Sequence, residues 1–381
     1  MRTSSVQPRR LLRAVGLLVA VVVLCPVASS CGVRSAKRSG DREARLQQAV
    51  DRFLATRTVP GASIALVVGG RLIEAVSGVA DVDAERKVNA GTQFRIASVT
   101  KSYVAALALD LAEDGVVALD DTVGRWLPEL PAHLAVVRDV TLRQLLSHTS
   151  GLRQTFIDDL DRGRVLTADD LLARIPAPVC DPGTCWSYAD GNYMLAGLVL
   201  EAATGRPLST ELRERLLAPL DLTRTELLNA AALNNPSPPQ YALVSDGAEP
   251  VTPHRLRRQL LPISAENGAG GMVASASDVA RWADALFGGR VLEPSSLREM
   301  LDTSAMSGRP CPEGCPSLYG LGVFHYTIGG HEMVGHDGSS GAVVAHDQGR
   351  GFTVAILTNG GEQDMEAFLE AVVSAVDGRG N

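Results

Sequence analysis

Lysine is almost missing from this chain: of 36 Lys plus Arg, only Lys37, Lys87 and Lys101 are lysine. Most of that skew reads as genomic composition, yet it makes each surviving lysine worth inspecting. An excess of basic charge is missing as well. With 43 acidic residues the formal net charge is −7, and a sequence pI of about 5.6 argues against a surface that binds nucleic acid. No internal repeat is evident. The extremes of composition are absent too, because 45% hydrophobic and 21% charged residues exclude a wholly disordered or fibrous protein. What is present is length. A chain of 381 residues suggests about two domains, or one large domain with an elaborated half. It can bury a core without help from metals or disulfides.

The amino terminus lacks an apolar run long enough for a good transmembrane helix. Residues 1–13 carry Arg2, Arg9, Arg10 and Arg13 and no acid, and residues 14–28 are apolar but broken by Cys25 and Pro26. This is the charged region and short apolar region of an export signal, over residues 1–30. Arg9-Arg10-Leu11-Leu12-Arg13 resembles a twin-arginine signal, and Ala28-Ser29-Ser30-Cys31-Gly32 resembles a bacterial lipoprotein processing site. Cys31 is therefore a candidate for lipidation, which would anchor the chain at the outer face of a membrane. Ordinary cleavage after a small residue, giving a secreted protein, is the alternative.

Export bears on the other four of the six cysteines, Cys180, Cys185, Cys311 and Cys315. An oxidising compartment favours bridges, and the close pairs Cys180–Cys185 and Cys311–Cys315 are the simplest connectivity. Zinc is the competing reading, but neither spacing is the usual two-residue knuckle. A bridge across so short a loop braces locally rather than stabilising the whole fold.

Residues 31–44 read as a polar tether. Leu46, Val50, Phe53 and Leu54 then recur at helical spacing, which predicts a helix over 42–56. The apolar runs 62–68 and 72–79, separated by Gly69-Gly70, predict a β-hairpin. A helix over 99–112, apolar nearly all round, reads as fully buried with Gly115 at its end. Thr141 and Gln144 form a capping box for a helix over 142–148. Further helices are expected over 277–287 and 363–376, and strands over 321–326, 342–346 and 352–357. β segments at both ends enclose a long helical stretch. The fold class expected is α/β (α+β): an antiparallel sheet flanked by helices, with an inserted, mostly helical domain. The boundaries are 45–95 plus 281–381 for the α/β domain and 96–280 for the helical one.

The chemistry starts at Phe94-Arg95-Ile96-Ala97-Ser98-Val99-Thr100-Lys101. Ser98 and Lys101 share a helix face about one turn apart. A serine hydroxyl is a poor nucleophile until a base takes its proton, and a desolvated lysine can do so. Arginine cannot, since it keeps its proton in proteins. In a chain so poor in lysine, one at this position is unlikely to be there by chance. Ser-x-x-Lys alone is common, and a capping serine with a snorkelling lysine is the bland alternative.

Ser98-x-x-Lys101, then Trp186-Ser187-Tyr188-Ala189-Asp190, then His336-Asp337-Gly338 resembles the three-motif order of the penicillin-recognising serine hydrolases. The nearest branch holds D-alanyl-D-alanine carboxypeptidases, class C β-lactamases and related esterases. Pro60-Gly61-Ala62, His148-Thr149-Ser150-Gly151-Leu152 and Gly270-Gly271-Met272 are supporting matches, so the resemblance runs from about Leu46 to the last helix. It implies a β-lactamase/DD-peptidase-like fold, no cofactor, and an acyl-enzyme on Ser98. Lys101 and Tyr188 would shuttle the proton, with Tyr188 depressed in pKa by Lys101. Backbone N–H groups of Ser98 and Ser339, beside Gly338, would hold the oxyanion. A small peptide or acyl substrate, a cell-wall peptide first, and a monomer are expected. A penicillin sensor that does not turn over is a further alternative.

Two of the three motifs depart from the pattern. Asp190 stands where asparagine is usual and cannot donate to a substrate carbonyl when ionised; it would also raise the pKa of Lys101. Asn192 is the candidate replacement donor. His336, expected as a fourth catalytic residue, takes a place often held by lysine, and Asp337 one where threonine often binds a substrate carboxylate. Asp337 would repel such a carboxylate, which favours an esterase or amidase. Three other motifs are set aside. His331 and His336 are five apart rather than the four of a zinc protease helix. Gly338-Ser339-Ser340-Gly341 reads as a turn rather than a nucleophile elbow. His148 reads as a residue that orders its loop through hydrogen bonds.

Overall fold

Gly69 and Gly70 turn the chain between the first two strands, both with positive φ (56° and 73°), as a two-residue hairpin requires. A computed structural model describes residues 28–57, 59–154, 167–228, 240–243, 256–259, 267–312, 314, 318–360 and 365–378. The strands of the first part are β1 (Gly61–Val68), β2 (Arg71–Asp81), β3 (Arg86–Lys87) and β4 (Phe94–Arg95). The middle adds β5 (Thr225–Leu227), β6 (Gln240–Leu243), β7 (Leu256–Gln259) and β8 (Met272–Ala274). The last part adds β9 (Phe324–Ile328), β10 (His331–Gly338), β11 (Ala342–Asp347) and β12 (Phe352–Thr358).

The helices begin with α1 (Ala28–Thr56), α2 (Thr100–Glu113), α3 (Val123–Trp126), α4 (Leu142–Leu146), α5 (Ala168–Leu172) and α6 (Asp190–Thr204). They continue with α7 (Leu208–Glu211), α8 (Asn267–Gly270), α9 (Ala276–Phe287), α10 (Pro294–Leu301) and α11 (Met365–Asp377). Residues 1–27 of the expected export signal lie outside the described residues. Met1–Asp41 and Arg42–Asn381 are two separate units. α1 starts at Ala28, upstream of the expected 42, so the stretch read as a tether has a helical backbone that includes Cys31.

Seven strands form one antiparallel sheet in the order β3-β2-β1-β12-β11-β10-β9. β1 and β12 are neighbours, with Ile64 opposite Ile356, so strands from both ends of the chain lie side by side. Both are apolar along their length because both sheet faces are covered. Successive side chains alternate between faces. Ile64, Leu66, Val354 and Ile356 pack with Leu46, Val50 and Phe368 on one side. Ala65, Val67, Ala355 and Leu357 join the core of α2, α6 and α9 on the other. Phe53 of α1 stacks on Phe368 of α11 at 3.7 Å.

α2 is buried almost all round, as its sequence predicts, and Gly115 follows it with φ 71°. Tyr103 stacks on Trp282 of α9 at 4.2 Å, and Trp282 Nε1 donates to Ser102 Oγ. The Thr141–Gln144 capping box is present, a contribution of about 1 kcal/mol. β9 begins three residues later than expected. Gly322, at φ 74°, turns the chain, and Leu321 N–H is drawn instead to Met300 O at the end of α10. A small sheet, β4-β8-β5, ties the segment before Ser98 to the segment around Met272.

Candidate active site

Ser98 sits in a 3-10 turn, Ala97–Val99, that leads directly into α2. Ala97 has φ 41°, a left-handed conformation that costs an L-residue energy and persists only where its surroundings enforce it. They do so here: Ile96 N–H donates to Met272 O, and Ser340 Oγ donates to Arg95 O. The Gly270-Gly271-Met272 match therefore acts as the floor of the nucleophile turn.

Lys101 is fully buried in the first turn of α2. Its Nζ donates to Ser98 Oγ at 2.9 Å, to Asp190 Oδ1 at 2.7 Å and to Ala269 O at 2.8 Å. Burial acts to lower its pKa, but Asp190, with help from Tyr188, outweighs it and holds the ammonium raised. Asp190 opens α6, and its Oδ2 accepts from Gln154 Nε2 at 2.8 Å. Gln154 Oε1 in return accepts the Asp190 backbone N–H at 2.8 Å.

The Tyr188 hydroxyl adjoins both Lys101 and Ser98, and Lys101 Nζ lies 4.9 Å from the Tyr188 ring centroid. The expected depression of its pKa is corrected. Burial pushes the phenol up to about 12; Lys101 pulls down, and Asp190 pushes up again.

His336 lies on β10 with both ring nitrogens engaged. Nδ1 contacts Asp337 O at 2.6 Å, and a carbonyl can only accept, so Nδ1 carries the proton. Nε2 then accepts from Tyr319 Oη at 3.2 Å. Burial first, and Lys101 second, lower its pKa to about 4 against the opposing Asp337. It stays neutral at neutral pH, with its ring on the cavity wall. Asp337 is exposed beside it, with Oδ1 accepting from Tyr326 Oη at 2.9 Å.

Asn192 does not serve as the replacement donor. It is wholly buried: Nδ2 donates to His148 Nδ1 at 2.9 Å, and Oδ1 accepts from Ser150 Oγ. Two residues on from Asp190, about 200° around α6, it points into the core instead of the cavity. Ser339 lies in the turn after β10, and Gly341 N–H closes that turn onto Gly338 O. Gly338 is required by a close approach: a Cβ there would stand 2.5 Å from Ile96 O and 3.2 Å from Ser98 N.

His148 orders the second motif from behind. Its Nδ1 also accepts Ala189 N–H at 3.2 Å, its carbonyl accepts Ser187 N–H, and its ring lies 4.4 Å from Tyr188. The Cys180–Cys185 disulfide is formed. Its loop docks on the same segment through Val179 N–H to Gly151 O and Gly183 N–H to Thr149 O. Cys311 is disulfide-bonded, and Cys315 lies outside the described residues. His331 has its ring nitrogens on Asp347 and Asp377, so neither histidine of the spaced pair presents a vacant nitrogen to a metal.

Ser98, Tyr188, Asp190, His336, Asp337 and Ser339 line one cavity of about 580 Å³. Gln154, Trp186, Phe324 and Gly314 complete its wall. Gln154 and Phe324 carry no motif; only the fold reveals them. Ser98 and Lys101 in contact at the head of a buried helix, facing a sheet edge across that cavity, are what acyl transfer requires. This is a serine hydrolase of the β-lactamase fold. The chain belongs to the Beta-lactamase family, whose sequence model matches residues 46–376. Penicillin-binding protein 4 of Amycolatopsis lactamdurans is 34% identical over 332 residues, 82% of this chain and 84% of that one. Esterase EstB of Burkholderia gladioli is 30% identical over 369 residues, 86% and 92% of the two chains. D-amino acid amidase from Ochrobactrum anthropi SV3, in complex with D-phenylalanine, superposes with a TM-score of 0.76 at 27% identity, covering 89% of this chain and 100% of that one.

Proposed function

We propose that the protein hydrolyses small esters or amides that carry no carboxylate beside the scissile bond, through an acyl-enzyme on Ser98. The observation that carries this is the 2.9 Å contact between Lys101 Nζ and Ser98 Oγ at the foot of an open cavity. Ser98 Oγ attacks the carbonyl, and backbone N–H groups of Ser98 and Ser339 receive the oxyanion. Tyr188 and Lys101 carry the proton to the leaving group, and water then releases the acyl group by the same route. Asp337 supports the choice of substrate: it is an exposed carboxylate on the cavity wall, where a substrate carboxylate would meet like charge.

A D-alanyl-D-alanine carboxypeptidase is the second reading, favoured by the 34% identity to a penicillin-binding protein. Labelling with a fluorophosphonate and a fluorescent β-lactam, with Ser98→Ala as control, tests the nucleophile; absence of Ser98-dependent labelling would falsify the hydrolase reading. Steady-state kinetics then rank substrates. Short p-nitrophenyl esters and D-amino-acid amides should exceed D-Ala-D-Ala peptides in kcat/KM by about tenfold or more, a difference of about 1.4 kcal/mol. Asp337→Asn should narrow that gap, and an unchanged ratio counts against the role given to Asp337. Export, with Cys31 lipidated, completes the proposal on the strength of the residues 1–31 pattern, and the intact mass of the mature protein tests it.

A further inference from the structure

Lys101 has no lone pair to offer in this arrangement. An ammonium has three protons, and here they are held by Ser98 Oγ, Asp190 Oδ1 and Ala269 O. The Tyr188 hydroxyl is a further oxygen beside it. Before Ser98 can lose its proton, one of the protons on Nζ has to go elsewhere. A peptide carbonyl cannot hold it at neutral pH, and neither can a serine or a phenol that is itself protonated. Among the described residues, the anion in contact with Nζ is Asp190.

We infer that Asp190 is the terminal acceptor of the proton taken from Ser98, reached through Lys101; this rests on the hydrolase reading above. The atoms balance as follows. Nζ releases one proton to Asp190 Oδ1 across the 2.7 Å bond and becomes a neutral amine. Rotation about Cε–Nζ turns the new lone pair to Ser98, whose Oγ–H bond breaks as Oγ bonds to the substrate carbonyl carbon. Lys101 ends as the ammonium it began as, and Asp190 ends as a neutral acid. When the acyl–leaving-group bond breaks, the proton returns from Asp190 to Lys101, which passes one through the Tyr188 hydroxyl to the departing oxygen or nitrogen, since Ser98 Oγ is now bonded to the acyl carbon.

The surroundings suit this task. Gln154 holds the second carboxylate oxygen and the Asp190 backbone N–H, so Oδ1 stays aimed at Nζ. The Asp190 side chain is 23% exposed and that of Lys101 is 0% exposed. A buried ion pair bears a desolvation cost that its neutral form escapes, which narrows the gap between them. Other candidates are poorly placed: both nitrogens of His336 are engaged, and the Tyr188 phenol is pushed up to about 12 chiefly by burial.

Acylation by a p-nitrophenyl ester, followed from pH 5 to 10 in the wild type, Asp190→Asn and Asp190→Glu, tests the inference, with near-UV circular dichroism confirming the fold. The wild type should be flat through neutral pH. Asp190→Asn should lose about 100-fold or more in kcat at pH 7 with little change in KM. Its residual activity should climb with pH, because Lys101, now lowered by burial without the carboxylate that raised it, must give its proton to solvent instead. Asp190→Glu should recover part of the loss. Wild-type kcat and pH profile in Asp190→Asn, or a gain in kcat, would overturn the inference. If the asparagine variant does not fold, Asp190→Glu decides alone: an unaltered kcat overturns it. Failure of the hydrolase reading is recognised separately, as wild-type protein that Ser98-directed reagents do not label.

Discussion

His148 occupies a left-handed backbone conformation, φ 58°, that most L-residues avoid, and its Nδ1 accepts from both Ala189 N–H and Asn192 Nδ2. Two donors on one nitrogen mean that it bears no proton, so the imidazole must stay neutral. Burial, with Lys101 and His336 adding to it, keeps its pKa well below the usual histidine range. His148→Ala leaves two buried donors without an acceptor, at about 1–3 kcal/mol each. Urea denaturation should show a loss of roughly 2–6 kcal/mol, with kcat falling more than KM changes because the Tyr188 segment loosens. Wild-type stability in that variant would contradict this role. The residues of the site were unevenly legible in the chain. Ser98 and Lys101 stood out because lysine is scarce. Gln154 did not, because its partnership with Asp190 exists only once two distant segments meet. The rise in the Tyr188 pKa was also hidden, since desolvation follows from packing and not from motif order.

At the scale of elements, the site is the meeting of the Ala97–Val99 turn with the end of β10. Gly338 lets the strand come so close that a methyl group there would stand 3.1 Å from Ala97 Cβ and 2.5 Å from Ile96 O. Gly338→Ala should therefore displace the nucleophile turn and slow fluorophosphonate labelling of Ser98 by about 100-fold, while the rest of the sheet persists. Labelling at the wild-type rate would show that the approach has slack. The hairpin at Gly69-Gly70, the capping box at Thr141 and the buried α2 were legible because each is governed by local chemistry or by its own periodicity. The start of α1 and the displaced start of β9 were not. The first has no apolar stripe to signal it, and the second depends on a carbonyl of α10 far away in sequence.

At the scale of the molecule, the titrating groups among the described residues set a direction for acid stability. His148, His325, His336 and His346 all have lowered pKa values, burial being the leading cause in each. In the window between about 6.5, the unfolded value, and about 4, where native His336 titrates, the unfolded chain binds protons that the native protein refuses. Stability is then complete above the window and is lost as pH falls through it. Asp110 and Asp278, raised by burial, act in the opposite sense but are two groups against four. Thermal melting should show Tm falling steadily from pH 7 to 5, and a Tm that holds or rises over that range would contradict the balance.

The pairing of β1 with β12 carries a consequence for how the chain reaches this state. Ala62 to Val68 cannot find their partners until Phe352 to Thr358 have emerged from the ribosome. The sheet is thus closed by one of its last contacts, across a separation that makes loop closure slow. Until then the apolar flank of β1 opposite β2 is an open strand edge. A nascent chain of this protein has to be kept from pairing with its neighbours for almost the whole of its synthesis.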